Sequence, residues 1–310
     1  FPDLRHNIYG IKKKDLILSS NPKKADILIL PLTWNYYFQY GKTNEAYETI
    51  KFYEMLNKPI ITWVTGDYKH KVMDGDFIIL QHNLHKSKRK NNEYAYPAII
   101  RDPFDYLNFY GVNIVSSFKK TRVSFCGTAN WTILDKCESL LKDFFFKTKN
   151  RVLRPYLDLS FPVSGMSLRG KLLKSFNQNK NLDIHIIVRK RRDSSLISKE
   201  KYKFEYWNNM LAAPFTICVR GNGNFSVRFY ETLALGRIPI LIDTDCVLPF
   251  DNQINWHNHC IIIKDTEPNR IVDSVILSIN AMDDNDIINM QIANRKLWID
   301  KLSFGGFYYS

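Results

Sequence analysis

Short apolar runs and amphipathic stretches alternate along the chain. Ala25–Leu30 is an apolar run closed by Pro31, the signature of a buried strand. Glu45–Asn57 carries apolar or aromatic residues at Tyr47, Ile50, Tyr53, Met55 and Leu56 and predicts a helix. Pro59–Thr65 and Phe77–Leu80 predict two further strands, Lys86–Asn92 a polar loop and Tyr96–Ile100 an extended piece. A second series follows, with strands expected at Arg122–Cys126, Leu182–Val188, Phe215–Val219, Ile238–Ile242 and His259–Ile263. Between and after them, helices are expected at Ile133–Lys147, Tyr202–Ala213, Ser226–Leu235, Glu267–Met282 and Asp286–Leu302. Strands apolar on both faces and alternating with helices imply parallel sheets covered on both sides. Two such series predict two doubly wound units, 1–117 and 118–310, with the boundary near Asn113–Arg122 and a last helix that crosses back.

Length and charge sharpen this picture. At 310 residues the chain exceeds what one core usually serves. Its 44 basic and 31 acidic residues leave a net charge of +13. The excess is local. The stretch Phe118–Phe204 holds 20 basic and 7 acidic residues, whereas Glu205–Ser310 holds 8 and 12. A local excess suggests an anion-handling face, with Arg151, Arg154, Arg169 and the run Arg189-Lys190-Arg191-Arg192 as its members. A run of this kind is most often a solvated face, and the basic segment carries no recognisable nucleic-acid motif, so nucleic acid is not an expected partner. No stretch of about 18 apolar residues is present. Five dispersed cysteines, with no metal-ligating spacing, read as buried reduced thiols, and no metal site is expected.

The stretch that carries chemistry is Phe215–Asp243. It reads as strand, glycine-bearing loop, helix, Gly stop, strand. In an open parallel sheet, ligands bind beyond the C-terminal strand ends, at the loop feeding the next helix. Gly221 and Gly223 let backbone amides approach a ligand, Ser226 is placed to cap the helix, and the helix N-terminus favours a phosphate. Arg228 can fork onto a pyrophosphate oxygen, and Glu231, on the same helical face, can accept from a ribose diol. By periodicity alone, a surface Arg–Glu pair after an ordinary loop explains the pattern equally well.

This stretch resembles the exostosin family of glycosyltransferases. The resemblance rests on Cys218, Gly221, Ser226-Val227-Arg228, Glu231, Gly236-Arg237-Ile238-Pro239, Leu248-Pro249-Phe250 and Ile254-Asn255-Trp256, with Ala25-Asp26 and Phe125-Cys126-Gly127 upstream. Val219, Arg237 and Asn255 depart from the family's usual Pro, Cys and acidic residue. What the resemblance implies is a GT-B architecture of two Rossmann-like units facing a cleft. It also implies an inverting hexosyl- or pentosyltransferase that uses a UDP- or GDP-sugar and an oligosaccharide or glycan acceptor. A fucosyltransferase-type GT-B enzyme is the neighbouring alternative, and a polyanion-binding protein without catalysis the third.

Within that reading the leaving diphosphate needs charge stabilisation. Arg228, Arg220, the Gly221 and Gly223 amides and Arg122 are the candidates, with Gly127 and Thr128 contacting phosphate through a turn. Metal independence is expected, and Asp243-Thr244-Asp245 is set aside as an accidental spacing. The acceptor hydroxyl needs a base within reach. Asp67, just after the strand Pro59–Thr65, is the first choice and His70 the second, with a turn-capping role for Asp67 equally consistent. His82 and His85 are expected to be solvated. Trp34, Tyr36 and Tyr37 form an aromatic cluster that could line an acceptor site or pack in a core. Peripheral membrane contact is a further partner class. A cytoplasmic location is expected from the odd number of reduced-looking cysteines, or the Golgi lumen if an anchor has been removed; Phe1, neither an initiator nor the start of a signal peptide, says nothing of targeting.

Overall fold

A computed structural model describes residues 10–15, 17–106, 120–159, 164–189, 198–264 and 267–310. The expected boundary near Asn113–Arg122 and the residues Lys190-Arg191-Arg192 fall largely or wholly outside the described residues. Eleven strands are described: β1 (Leu28–Ile29), β2 (Ile60–Val64), β3 (Lys69–His70), β4 (Ile78–Gln81), β5 (Glu93–Ala95), β6 (Arg122–Thr128), β7 (Leu157–Asp158), β8 (Asp183–Arg189), β9 (Phe215–Cys218), β10 (Ile238–Asp243) and β11 (Ile261–Lys264). The main helices are α1 (Trp34–Gln39), α2 (Thr43–Glu54), α3 (Ile133–Leu153), α4 (Gly165–Gln178), α5 (Lys199–Leu211), α6 (Val227–Ala234), α7 (Pro268–Asn280) and α8 (Asp284–Leu297). Their boundaries follow local chemistry. Thr132 and Asp135 form a reciprocal capping box at the start of α3, and Asp283 and Asp286 do the same for α8. Gly236, at φ +63°, takes the left-handed turn that stops α6.

The strands form two parallel sheets, ordered β1-β2-β4-β5 and β11-β10-β9-β6-β8. The expected architecture of two parallel α/β units is therefore present. The second sheet is buried on both faces, and alternate residues feed different cores. Ile217, Ile240 and Ile242 join Phe125, Leu172 and Phe176 on one face, while Cys218 and Leu241 join Phe229, Trp256 and Trp298 on the other. β1 departs from expectation. It is an edge strand of two residues, with Leu28 buried and Ile29 exposed.

In the second sheet, β8 lies on one side of β6, while β9, β10 and β11 step away on the other. The winding reverses between β6 and β9, and this switch point opens a crevice at the strand C-terminal ends. There β6 pairs with β9 only through Val123–Phe215 and Ser124–Thr216, so the two strands separate beyond.

The two units meet at the C-terminal edges of their sheets. Residues after β4 touch residues after β9 and β10: Asn83 Oδ1 accepts from the Asn224 amide (2.7 Å), and Lys86 pairs with Asp243 (3.0 Å). β3 and β7 add a short antiparallel ladder, Lys69–Asp158 and His70–Leu157. The end of the chain returns to its start, where Tyr309 Oη donates to Asp15 (2.7 Å).

Candidate functional site

The crevice between β6 and β9 is built around Arg228. Arg228 is the second residue of α6; its guanidinium lies over the Phe125 ring (4.2 Å), and Nη2 donates to the carbonyl of Cys126 (2.6 Å). Nε and Nη1 are buried without a partner among the described residues. A cation with unsatisfied buried donors is costly unless a ligand completes it. Gly127 makes this placement feasible, because a Cβ there would lie 2.5 Å from Arg228 Nη2. Gly127 and Thr128 are the last residues of β6 and not a turn, and the missing side chain of Gly127 leaves room for the Arg228 guanidinium.

Arg169, on α4, converges on the same place. Its guanidinium donates to the carbonyl of Val219 (3.0 Å), just past β9. Burial, together with the Arg228 and Arg220 charges, pulls it down to about 9. Arg220 is buried beside it and donates to the carbonyl of Gly221 (3.2 Å). Two close backbone approaches press α4 onto the crevice. A Cβ on Gly165 would meet Gly221 O at 2.1 Å, and one on Gly170 would meet Asn130 O at 1.9 Å. Glu231 accepts from Tyr206 Oη (2.5 Å), and burial raises its carboxyl above the usual range against the opposing pull of Tyr206 and Arg228. Glu231 is a carboxylate whose charge acts on Arg228.

Several expected members lie elsewhere. Arg122 stands at the N-terminal start of β6, the opposite end of the sheet, where it pairs with Asp183 (2.7 Å). Ser226 is the N-cap residue of α6, but its side chain makes no capping bond. Arg189 is buried against Tyr202 and Glu205, so it is not solvated. Gly221 has ordinary clearance, whereas a Cβ on Gly223 would meet Asp67 O at 2.8 Å.

That contact brings Asp67 to the crevice from the other unit. Its carbonyl accepts from Asn83, and a carboxylate oxygen lies 3.5 Å from Asn222 Nδ2. Asp67 also lines a cavity of about 210 Å³ with Asn35, Thr65, Arg154 and Tyr156. A larger cavity, about 660 Å³, opens at the ends of β6 and β8 between Thr128, Trp131, Met166 and Arg189. His70 lines the smaller cavity, but it is buried in the β3–β7 ladder, stacked near Tyr156, and held at about 4 by burial. His82 and His85 are not solvated. His82 stacks between Tyr96 and Phe225, held at about 4 by burial, and His85 is buried beside Asp245. Trp34 and Tyr37 are core residues of the first unit, with Trp34 Nε1 donating to Thr62 (3.0 Å), and Tyr36 packs edge-on against Tyr37. They sit on α1 and not in a loop. Asp243 and Asp245 bind Lys86 and Ser87 across the units.

Residues 141–278 match the Exostosin GT47 domain. This region is exostosin-like. It contains α4, the β9 loop and α6, and hence Arg169, Arg220, Arg228 and Glu231. A rice (Oryza sativa subsp. japonica) protein named probable glucuronosyltransferase GUT1 is 31% identical over 74 residues, which cover 24% of this chain and 18% of that protein. The Exostosin-1 homolog of Caenorhabditis elegans is 31% identical over 65 residues, covering 21% of this chain and 17% of that protein. The alignments thus span less than a fifth of each relative. Among solved structures, the chain is similar to TarM, at a TM-score of 0.36 and 9% identity over 83% of this chain and 51% of that one. The exostosin-like region holds most of the site, while Asp67 and Gly127 lie outside it.

Arg169 is expected from the sequence as a member of the basic face, but patterning does not place it at this crevice. Its sequence signal is Gly165 and Gly170 on either side of it within the basic segment, the two places where backbone packs closest against α4.

Proposed function

We propose that the protein is an inverting, metal-independent glycosyltransferase that binds a UDP- or GDP-sugar at the β6–β9 crevice and transfers the sugar to a glycan hydroxyl. The observation that carries this reading is the convergence of Arg169, Arg220 and Arg228 at one switch point. Converging guanidinium groups, with two Arg228 nitrogens buried without a partner among the described residues, suit a ligand carrying more than one negative charge, as a diphosphate does. Charge developing on the departing diphosphate is then met by preorganised cations. Glu231, oriented by Tyr206, accepts a ribose hydroxyl. Asp67, on the facing unit and beside its own cavity, takes the proton of the acceptor hydroxyl.

A thermal-shift panel of UDP- and GDP-sugars, with and without EDTA, tests the reading. A ligand that binds only the folded state raises its stability. One sugar nucleotide should raise the melting temperature with EDTA present, and Arg228→Lys should abolish that rise. Asp67→Asn should keep it while losing transfer. A panel without any shift, or an Asp67→Asn variant with full transfer, refutes the assignment.

A further inference from the structure

Helix α3 presents an apolar face outward. Ser139 and Asn150 are its buried positions, and they lie on the side toward the protein. On the opposite side Leu134, Cys137, Leu141, Phe144, Phe145 and Val152 recur at helical spacings of three, four and seven residues, which aligns them in one stripe interrupted by the polar Thr148. Leu134 is 81% exposed, Phe144 64% and Phe145 67%. A helix whose outer face is its apolar face marks an interaction surface and not a core. Arg151 borders the stripe on one side and Lys149 on the other. Glu138, the acid beside it, is paired with Lys142.

We propose that this face docks on an anionic lipid surface. An apolar stripe framed by lysine and arginine is the composition of a helix that lies in the plane of a membrane interface. The framing cations meet anionic headgroups there, while the Phe and Leu side chains enter the acyl boundary. A second copy of the chain fits less well, because pairing two such helices would set cationic borders against each other. The helix also supplies Asp135, Ser139 and Lys142 to the wall of the 660 Å³ cavity, so docking would hold that cavity beside the lipid surface.

Cys137 gives a native probe, since it is exposed in the stripe and the other four cysteines are buried. A polarity-sensitive fluorophore on Cys137 should shift to the blue when the protein meets phosphatidylcholine vesicles containing phosphatidylserine. The protein should float with those vesicles, and raising salt should release it. Replacing Phe144 and Phe145 together by Ser should weaken vesicle binding at least about ten-fold, the loss expected from withdrawing such side chains from apolar surroundings. Reversing charge at Lys149 and Arg151 to Glu should weaken it as well, without altering the apolar stripe. Melting temperature should stay unchanged in both variants. The proposal is overturned if the protein does not float with phosphatidylserine vesicles, or if both variants bind as the parent does. It is equally overturned if the fluorophore is already blue-shifted without vesicles, or if the stripe mediates self-association that the Phe variant abolishes.

Discussion

At the scale of single residues, the site depends on an atom that is missing. Gly127 occupies extended backbone that any residue can adopt, so its lack of a side chain matters only for space. A Cβ 2.5 Å from Arg228 Nη2 would push the guanidinium off the Cys126 carbonyl. The β6 backbone would remain paired along both edges. Gly127→Ala should therefore weaken nucleotide-sugar binding about ten-fold, the cost of one misplaced charge-assisted hydrogen bond. Isothermal titration of the parent and variant reads this directly. Unchanged affinity would mean that Arg228 does not meet the ligand. Arg228 and Glu231 were legible in the sequence because they follow a glycine loop at helical spacing. Arg122 misled because a cation near a strand looks the same at either end, and only the strand direction separates the ligand edge from the far edge. For Trp34 and Tyr37 both readings stay open in the sequence, because a local cluster of aromatics does not say whether the rings face a core or a ligand, and the structure places them in the core.

At the scale of elements, legibility follows how each one is buried. β9 and β10 are covered on both faces, so they appear as continuous apolar runs that mark them plainly. Helix α4 does not, because Gly165, Ser167 and Gly170 are among its buried positions and small residues leave no hydrophobic trace. β3 and β7 are two-residue strands of mixed polarity, and their pairing spans the two units. These elements bury histidines whose titration should be visible. His70 in β3 and His82 after β4 are both held at about 4, below the ordinary 6.5. Each is neutral in the folded protein and takes up a proton on unfolding in the window between those values. Their contribution is therefore present above pH 6.5 and is lost as pH falls toward 4. At pH 5 each should remove about 2 kcal/mol of stability relative to pH 7. Urea unfolding at the two pH values checks this, and His82→Phe should flatten its share of the slope by preserving the stack on Tyr96 and Phe225.

At the scale of the whole molecule, the question is what holds the two units in register, since the crevice and Asp67 come from different ones. Two kinds of contact are available. Lys86–Asp243 (3.0 Å) and Arg89–Asp251 (2.7 Å) are ion pairs with solvent-accessible members, worth roughly 0.2–1 kcal/mol each and screened by salt. Asn224 is different. It is fully buried, its Nδ2 donates to Leu84 O (2.9 Å), and its Oδ1 accepts from Thr244 (2.7 Å). Asn224→Ala leaves the buried Leu84 carbonyl and the half-buried Thr244 hydroxyl without these partners, at about 1–3 kcal/mol for the buried carbonyl and less for the hydroxyl, which water can reach. The backbone amide keeps its bond to Asn83, so the loop stays in place while the side-chain bridge is gone. Asn224→Ala should therefore lower unfolding stability by about 2 kcal/mol or more, and the loss should persist at high salt. Arg89→Ala should cost less than about 1 kcal/mol and nothing once salt has screened the pair. Denaturant unfolding of both variants at low and high salt separates the contributions. Equal and salt-sensitive losses would place the register in the charged rim, and Asp67 would then owe its position beside the arginine crevice to surface electrostatics instead of to one buried amide.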